Sequence, residues 1–467
     1  TGEPIKVVSL LTPDGLYWAF SGLVRNFINF PPLGIVLTGM LGVGLAEKTG
    51  LFDALLKALA RAVPNSLLTP TVLFLGIMSN IASDAGYIVL PPLAAALYLA
   101  AGRSPLAGIA AAFAGVSAGF SANLLIGGTD ALIAGITQAN AQILDPKYTV
   151  TATSNWWFMA ASTVLLTFVG WGVSAWIVEK RLSARPAAEG GAVGLVSTKG
   201  TEEGRLKPLE VRGLFWAMLA LAGVMGLVLA AILVPGWPLH GQGPDPMTPA
   251  RTGDRWVSSV VPIVMVAFLI PGVAYGIAVG SIRSGKDATD AMVDAMKGMA
   301  PVIVMAFFAS QFIAFFTYSN LGRMLAIVGG TALADADMHP TVIIVLFMIV
   351  TMILNLMISS MSAKYTLMAP IFVPMFMMLG ISPELTQCAY RVADSVTNIV
   401  TPMNSYLIII LAVVHRYSRN AGMGTLISMM VPYSLVFGVI WTGFLLLWMY
   451  LGLDLGRPGP LWYTPAH

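Results

Sequence analysis

Residues 394–404 read DSVTNIVTPMN, a polar run carrying a proline in the middle of an otherwise apolar stretch from 384 to 414. Three other stretches are interrupted in the same way: SNIASDAG at 79–86, SANLLIGGTD at 121–130 and SSMSAK at 359–364. Around them the chain is apolar, with 57% of its 467 residues hydrophobic and 10% charged, against about 25% charged in a soluble domain. Runs such as Gly213 to Gly236, Trp256 to Gly280 and Leu426 to Leu451 exceed the roughly 20 apolar residues that cross a bilayer as a helix, and are far longer than barrel strands. The chain therefore reads as an all-α polytopic membrane protein. An unsatisfied backbone group is costly in lipid, so polar breaks survive only inside protein or beside a water-filled cavity. The four interruptions are the candidate site.

The breaks come in pairs. Pro70-Thr71-Val72 matches Pro340-Thr341-Val342, Ser83 precedes Pro91 as Ser362 precedes Pro370, Ser104-Pro105 matches Ser382-Pro383, and Ser121-Ala122-Asn123 matches Val396-Thr397-Asn398. The segment 180–212 is polar and Gly-rich, and the positive-inside bias reads it as a cytoplasmic linker between two transmembrane halves, 31–179 and 213–452. With that linker inside, the basic loops Arg283 to Lys297 and His415 to Arg419 also fall inside if 340–380 is a re-entrant hairpin. Lys48, Lys57, Arg61 and Arg103 do so if 69–102 is one. The expectation is an inverted-repeat secondary transporter with broken helices and two hairpins, its site near the bilayer midplane. Residues 1–30 are expected as an extracytoplasmic loop after a first helix preceding Thr1, and 453–467 as a tail. Apolar spans are expected near 213–236, 256–282, 300–317 and 422–451, among others.

Ionisable side chains inside spans are costly and tend to be functional, which singles out Asp84, Asp130, Lys364, Arg391 and Asp394. Arg391 and Asp394 are spaced to pair with each other at i, i+3 on one helix face; the alternative is that Arg391 holds an anionic substrate through its planar fork. Ser79, Asn80, Ser83 and Asn123 in one half, and Asn355, Ser359, Ser362, Asn398 and Thr401 in the other, supply oxygen ligands suited to a small cation, or simply interhelical hydrogen bonds. Asp130 stands where a broken helix restarts, so it either caps that helix or carries a proton. Lys364 either reaches a water-filled cavity or neutralises a carboxylate. Trp156 and Trp157 read as interface anchors, and the lone Cys388 as a packing residue.

Catalysis is not expected. The histidines His240, His339, His415 and His467 lie in loops or at the terminus without metal-ligand spacing, and Gly127-Gly128-Thr129-Asp130 is not the Gly-x-Gly-Asp of an intramembrane aspartyl protease. A net charge of +3 spread over short loops leaves no nucleic-acid footprint. A passive channel is the rival from another class, set aside because inverted halves with hairpins argue for alternating access.

The stretches SNIASDAGYIVLPPL (79–93), ITQANAQILDPKYTV (136–150), SAKYTLMAPIFVPMF (362–376) and YRVADSVTNIVTPMNSY (390–406) resemble the p-aminobenzoyl-glutamate transporter (AbgT) family, over essentially the whole chain. That family belongs to a larger ion transporter superfamily containing sodium-coupled dicarboxylate carriers. The resemblance implies a homodimer in the bacterial inner membrane with nine helices and two hairpins per protomer, eight of those helices within this chain. It also implies ion-gradient-driven transport of p-aminobenzoyl-glutamate or efflux of sulfonamide antimetabolites, with no cofactor beyond bound Na+. A sodium-coupled dicarboxylate transporter is the alternative. By motif, the resemblance places substrate-binding or transport roles on Asp130, Tyr365, Pro383 and Arg391, and sodium ligation on Asn355 and Asp394. Tyr365 stands where the family pattern has Trp; it keeps a ring face for an aminobenzoyl group and adds a hydroxyl.

Overall fold

Because lipid satisfies no backbone hydrogen bond, long apolar runs must satisfy their own, and they do so as helices. A computed structural model describes residues 6–61, 64–82, 85–186, 189–192, 206–244, 252–404 and 406–464. Among these residues the regular structure is helical apart from one short antiparallel pair, Gln242–Pro244 (β1) with Thr252–Asp254 (β2), and an isolated bridge. Before the linker come Pro13–Ile28 (α1), Pro31–Lys48 (α2), Leu51–Arg61 (α3), Leu68–Met78 (α4), Ala85–Ala100 (α5), Pro105–Phe113 (α6), Gly128–Ala141 (α7), Trp156–Val173 (α8) and Glu179–Ser183 (α9). After it come Pro208–Leu233 (α10), Arg255–Ser258 (α11), Val260–Val279 (α12), Gly285–Gly298 (α13), Ala300–Tyr318 (α14) and Leu321–Asp335 (α15). The chain ends with Pro340–Asn355 (α16), Met361–Met378 (α17), Pro383–Asn398 (α18), Leu407–His415 (α19) and Met423–Tyr450 (α20).

Among the described residues, four helical stretches are long and apolar enough to span a membrane: Trp156–Ser183, α10, α12 and α20. The bent pair α14–α15, turned by 71°, makes a fifth if it is one span. The bend sits at Asn320, whose φ of 59° is a left-handed conformation that asparagine tolerates better than most residues. The span expected near 300–317 covers α14 but stops short of α15, where Arg323 and Asp335 interrupt the apolar pattern. In the structure Gly322, Ala326 and Gly330 form a small-residue face, and α15 packs on α17. Such faces let helices approach closely in a membrane.

Within the segment expected as a loop, residues 13–28 form a helix instead, since Thr-Pro-Asp at 12–14 starts one. The Thr12 hydroxyl accepts the Gly15 N–H at 3.1 Å and Pro13 fills the first position, a favourable helix start. Trp18 then stacks on Tyr318 of α14 with ring centroids 4.0 Å apart, and Asn26 donates to Gln311 at 3.0 Å.

Apolar side chains gather in two clusters. The smaller includes Met40, Val43, Phe52, Ala217 and Tyr275, where α2, α3, α10 and α12 meet. The larger runs through α4–α8 and α16–α20 and encloses the interrupted helices. The 16 residues of α5 or of α16 reach about 24 Å at 1.5 Å per residue, short of a bilayer core of about 30 Å. Helix α6 winds into a π turn at Ala114–Ala118 and gives way to non-helical chain before α7; likewise α18 stops at Asn398 and α19 begins at Leu407. Gly76 of α4 crosses this π turn so closely that a Cβ on it would lie 2.8 Å from Gly115 Cα, so a larger side chain would push α4 off the break.

The two Ser-Pro turns are handled alike. Ser104 and Ser382 each cap the next helix, with Pro105 and Pro383 at its first position, and each hydroxyl donates at 2.6 Å to a carbonyl from later in the chain, Gly190 and Pro460 respectively.

Candidate functional site

The first break is organised by Asp130, third residue of α7. One carboxylate oxygen, Oδ2, accepts the Gly127 N–H at 2.8 Å and Asn123 Nδ2 at 2.7 Å, so Asp130 does cap the restarting helix. The other, Oδ1, lies 2.7 Å from Arg391 Nη2 of α18, with both side chains at most 5% exposed. The same Nη2 is 2.8 Å from the Ser121 carbonyl. Arg391 therefore does not pair with Asp394, as their i, i+3 spacing allowed. A buried guanidinium needs a carboxylate of its own, and Asp394 is already engaged on the other side.

Lys364 of α17 is the group that engages it. Its Nζ lies 2.5 Å from Asp394 Oδ1 and 2.5 Å from Asn355 Oδ1, with the Ile358 carbonyl at 3.5 Å. Asn355, at the end of α16, in turn donates through Nδ2 to the Asp394 carbonyl at 2.7 Å and to Thr397 Oγ1 at 2.8 Å. Of the two uses open to Lys364, the structure has it neutralise a carboxylate. Among the described residues no three His, Cys, Asp or Glu side chains cluster as a metal site.

Tyr365, next in sequence, is fully buried. Its hydroxyl lies 2.7 Å from Thr137 Oγ1, which also approaches Gln387 Oε1 at 2.7 Å and the Ile133 carbonyl at 2.8 Å. A threonine has one proton, given to one of those two acceptors, so Tyr365 is the donor to Thr137. Gln387 Nε2 continues the chain to Asn155 Oδ1 at 2.7 Å, and Asn155 Nδ2 to the Glu384 carbonyl at 3.0 Å. The Tyr365 ring leans on Tyr390, centroids 4.4 Å apart. Thr137, Gln387, Asn155 and Tyr390 carry no signal of their own in the sequence. Two turns of helix separate Thr137 from Asp130, and one turn separates Gln387 from Arg391, so facing positions could have flagged them.

The remaining polar residues tie turns to breaks. Asn80 Nδ2 donates to the carbonyls of Phe120 and Ala122 at 2.8 and 2.9 Å, while the Ser79 hydroxyl satisfies Gly76 of its own helix at 2.6 Å. In the other half Thr401 Oγ1 donates to the Leu356 carbonyl at 3.3 Å. The breaks also touch each other, because Asn404 Nδ2 bridges the Asn398 carbonyl at 2.9 Å and Ser117 Oγ at 3.4 Å. Ser359 and Ser362 are half-buried at the second turn. Ser83 and Asp84 lie outside the described residues. The Trp156 indole N–H donates to the Leu124 carbonyl in the first break at 2.9 Å. Cys388 is buried and free.

Buried polar atoms without a hydrogen-bond partner include Arg391 Nε, Ser121 Oγ and Asn123 Oδ1 around the first break, and Asp394 Oδ2 at the second. Such atoms are few in native proteins, and these gather at the two breaks. A cavity of about 520 Å³ opens against the Ala131, Ala134 and Gln138 face of α7, with Asn29, Thr38 and Thr151 on its wall. Asp130 and Thr137 face away from it, toward α18 and α17.

The family model described as the AbgT putative transporter family matches residues 1–463. A p-aminobenzoyl-glutamate transport protein of Escherichia coli K12 is 37% identical over 459 residues, 98% of this chain and 87% of the relative. The crystal structure of the YdaH transporter of Alcanivorax borkumensis superposes with a TM-score of 0.90 at 41% identity, over 98% of this chain and 93% of that one. MtrF of Neisseria gonorrhoeae, described as illuminating a class of antimetabolite efflux pumps, superposes with a TM-score of 0.87 at 41% identity, over 98% and 89%. With apolar helices throughout and these relatives along its whole length, the chain is a multi-pass membrane transport protein and belongs to the AbgT putative transporter family.

Proposed function

We propose that this protein is an ion-gradient-driven secondary transporter of p-aminobenzoyl-glutamate or of sulfonamide antimetabolites, working as a homodimer in the bacterial inner membrane. Each protomer consists of two inverted halves, 31–179 and 213–452, with re-entrant hairpins at 69–102 and 340–380 and a cytoplasmic linker at 180–212. Residues 1–30 are extracytoplasmic and 453–467 form the tail. The helix pairs α4–α5 and α16–α17, and the matching fixation of the Ser104 and Ser382 turns, support the paired architecture. The relatives that carry p-aminobenzoyl-glutamate or export antimetabolites support the substrate class.

The observation that carries the site assignment is Arg391. Its guanidinium is buried and paired with Asp130 from the opposite half, yet keeps an unpartnered Nε, and the break it reaches holds two further unpartnered atoms, Ser121 Oγ and Asn123 Oδ1. A substrate carboxylate is the ligand such a fork accepts bidentately. Asp130 would take part in proton coupling, its carboxylate yielding the guanidinium to the substrate's. Pro383 sets the start of the helix that carries Arg391, and Tyr365, when exposed, would stack on the aromatic ring. The polar residues at 79–84, 123, 359–362, 398 and 401 would shape the two turns and breaks around it.

Proteoliposomes holding the protein should accumulate radiolabelled p-aminobenzoyl-glutamate above equilibrium under an imposed proton gradient. Flux that never exceeds equilibrium under either a proton or a sodium gradient would support a channel instead. Accumulation blocked by succinate and not by p-aminobenzoyl-glutamate would replace the aromatic substrate by a dicarboxylate.

A further inference from the structure

Asn355 and Asp394 form an oxygen site that suits a small hard cation, and the resemblance assigns sodium to it. The geometry already places a cation there. The Lys364 ammonium has three protons and no acceptor, and faces three oxygens: Asp394 Oδ1 and Asn355 Oδ1, each at 2.5 Å, and the Ile358 carbonyl at 3.5 Å. The orientation of the Asn355 amide is fixed independently, because its Nδ2 donates to the Asp394 carbonyl and to Thr397 Oγ1, which turns Oδ1 toward the lysine. The Ile358 carbonyl lies just beyond the C-terminal end of α16, a position that favours positive charge. Lys364 and Asp394 are 1% and 0% exposed, so the pair is sealed from water. All the residues involved belong to α16, the turn after it, α17 and α18, on one side of the linker.

We propose that Lys364 is a tethered cation: its ammonium permanently takes the place of a sodium ion at the Asn355–Asp394 site, so this protein carries no sodium through that site. The charge a mobile ion would bring is covalently attached, and the elements it joins stay together through the cycle. The second oxygen of Asp394 has no partner, but a sodium ion there would stand beside an ammonium in a low-dielectric interior, where like charges repel strongly.

The test is thermal unfolding of the full chain in detergent at fixed ionic strength, with sodium replaced by choline, because this readout does not depend on transport. The native protein should unfold at the same temperature in both salts. Lys364→Ala vacates the site, so it should unfold earlier in choline and regain at least about 2 °C in a saturable, sodium-specific way. In Lys364→Ala/Asp394→Asn, which removes both charges, the sodium response should vanish. A saturable sodium stabilisation of the native protein, or a folded Lys364→Ala protein indifferent to sodium, would overturn the proposal. If Lys364→Ala cannot be purified, the native protein decides alone, and sodium-saturable uptake in proteoliposomes would overturn the proposal just as sodium stabilisation would. Sodium-indifferent unfolding in a protein that transports nothing would leave the tethered cation standing and remove only the transport reading on which the uptake arm rests.

Discussion

Asp130–Arg391 and Lys364–Asp394 are both buried ion pairs with one partner on α18, one helical turn apart, yet they join different things. The first reaches from α7 to α18, across the linker; the second stays among α16, α17 and α18. In the first, the cation is left with an unused donor, Arg391 Nε, and the same break holds unused acceptors; in the second, the cation faces three oxygens and a carboxylate oxygen is unused. A pair that bridges two halves and has spare hydrogen-bonding capacity can exchange partners when the halves move. A pair closed within one half acts as a strut. In the proposed cycle the first pair would be the gate and the second a joint, and partner count rather than burial separates them.

Substitutions test this contrast, beginning with the largest effect. Arg391→Met strands the Asp130 carboxylate in a buried site, so it should cost about 3–5 kcal/mol in thermal unfolding and abolish uptake. Asp130→Asn/Arg391→Met should recover much of that stability and none of the transport, because the two charges are one unit; independent, additive losses would dissolve the gate. Thr137→Val removes the acceptor of the buried Tyr365 hydroxyl and should cost about 1–3 kcal/mol, with uptake kinetics altered more than for a mutation of equal cost in the smaller apolar cluster. Equal kinetics would demote Thr137 to packing.

The smallest effect is expected far from both pairs, at α13. There the backbone N–H of Arg283, with Ser284 next, holds the exposed Asp287 carboxyl below its ordinary value. A depressed carboxylate stabilises the fold above its unfolded value of 3.8 and loses that contribution as pH falls through the lower folded value. Asp287→Asn should therefore flatten the acid end of the stability profile slightly and leave uptake unchanged; a change in uptake would mean that α13 takes part in the cycle.

Much of the fold is legible in the letters. Long apolar runs and polar clusters at 79–86, 121–130, 359–364 and 394–404 locate the helices and their interruptions, because lipid forbids such sequences elsewhere. What the letters do not disclose is who pairs with whom. Spacing puts Arg391 and Asp394 on one face, and only the packing of α7 and α17 against α18 sends them to Asp130 and Lys364. Thr137, Gln387 and Asn155 look like ordinary polar residues until the fold lines them up behind Tyr365. Helix α15 is hidden by its charges and α1 by a Thr-Pro-Asp start that reads equally well as a turn.

At the centre of the proposed cycle, Asp130 and the transported anion compete for one guanidinium. Equilibrium binding of p-aminobenzoyl-glutamate to purified protein, compared with the Asp130→Asn and Arg391→Met variants, tests that competition most directly. Asp130→Asn should bind about tenfold more tightly than the native protein, equivalent to about 1.4 kcal/mol, while Arg391→Met binds no anion. Binding weakened as severely by Asp130→Asn as by Arg391→Met would contradict it, making Asp130 a support for Arg391 rather than its rival ligand.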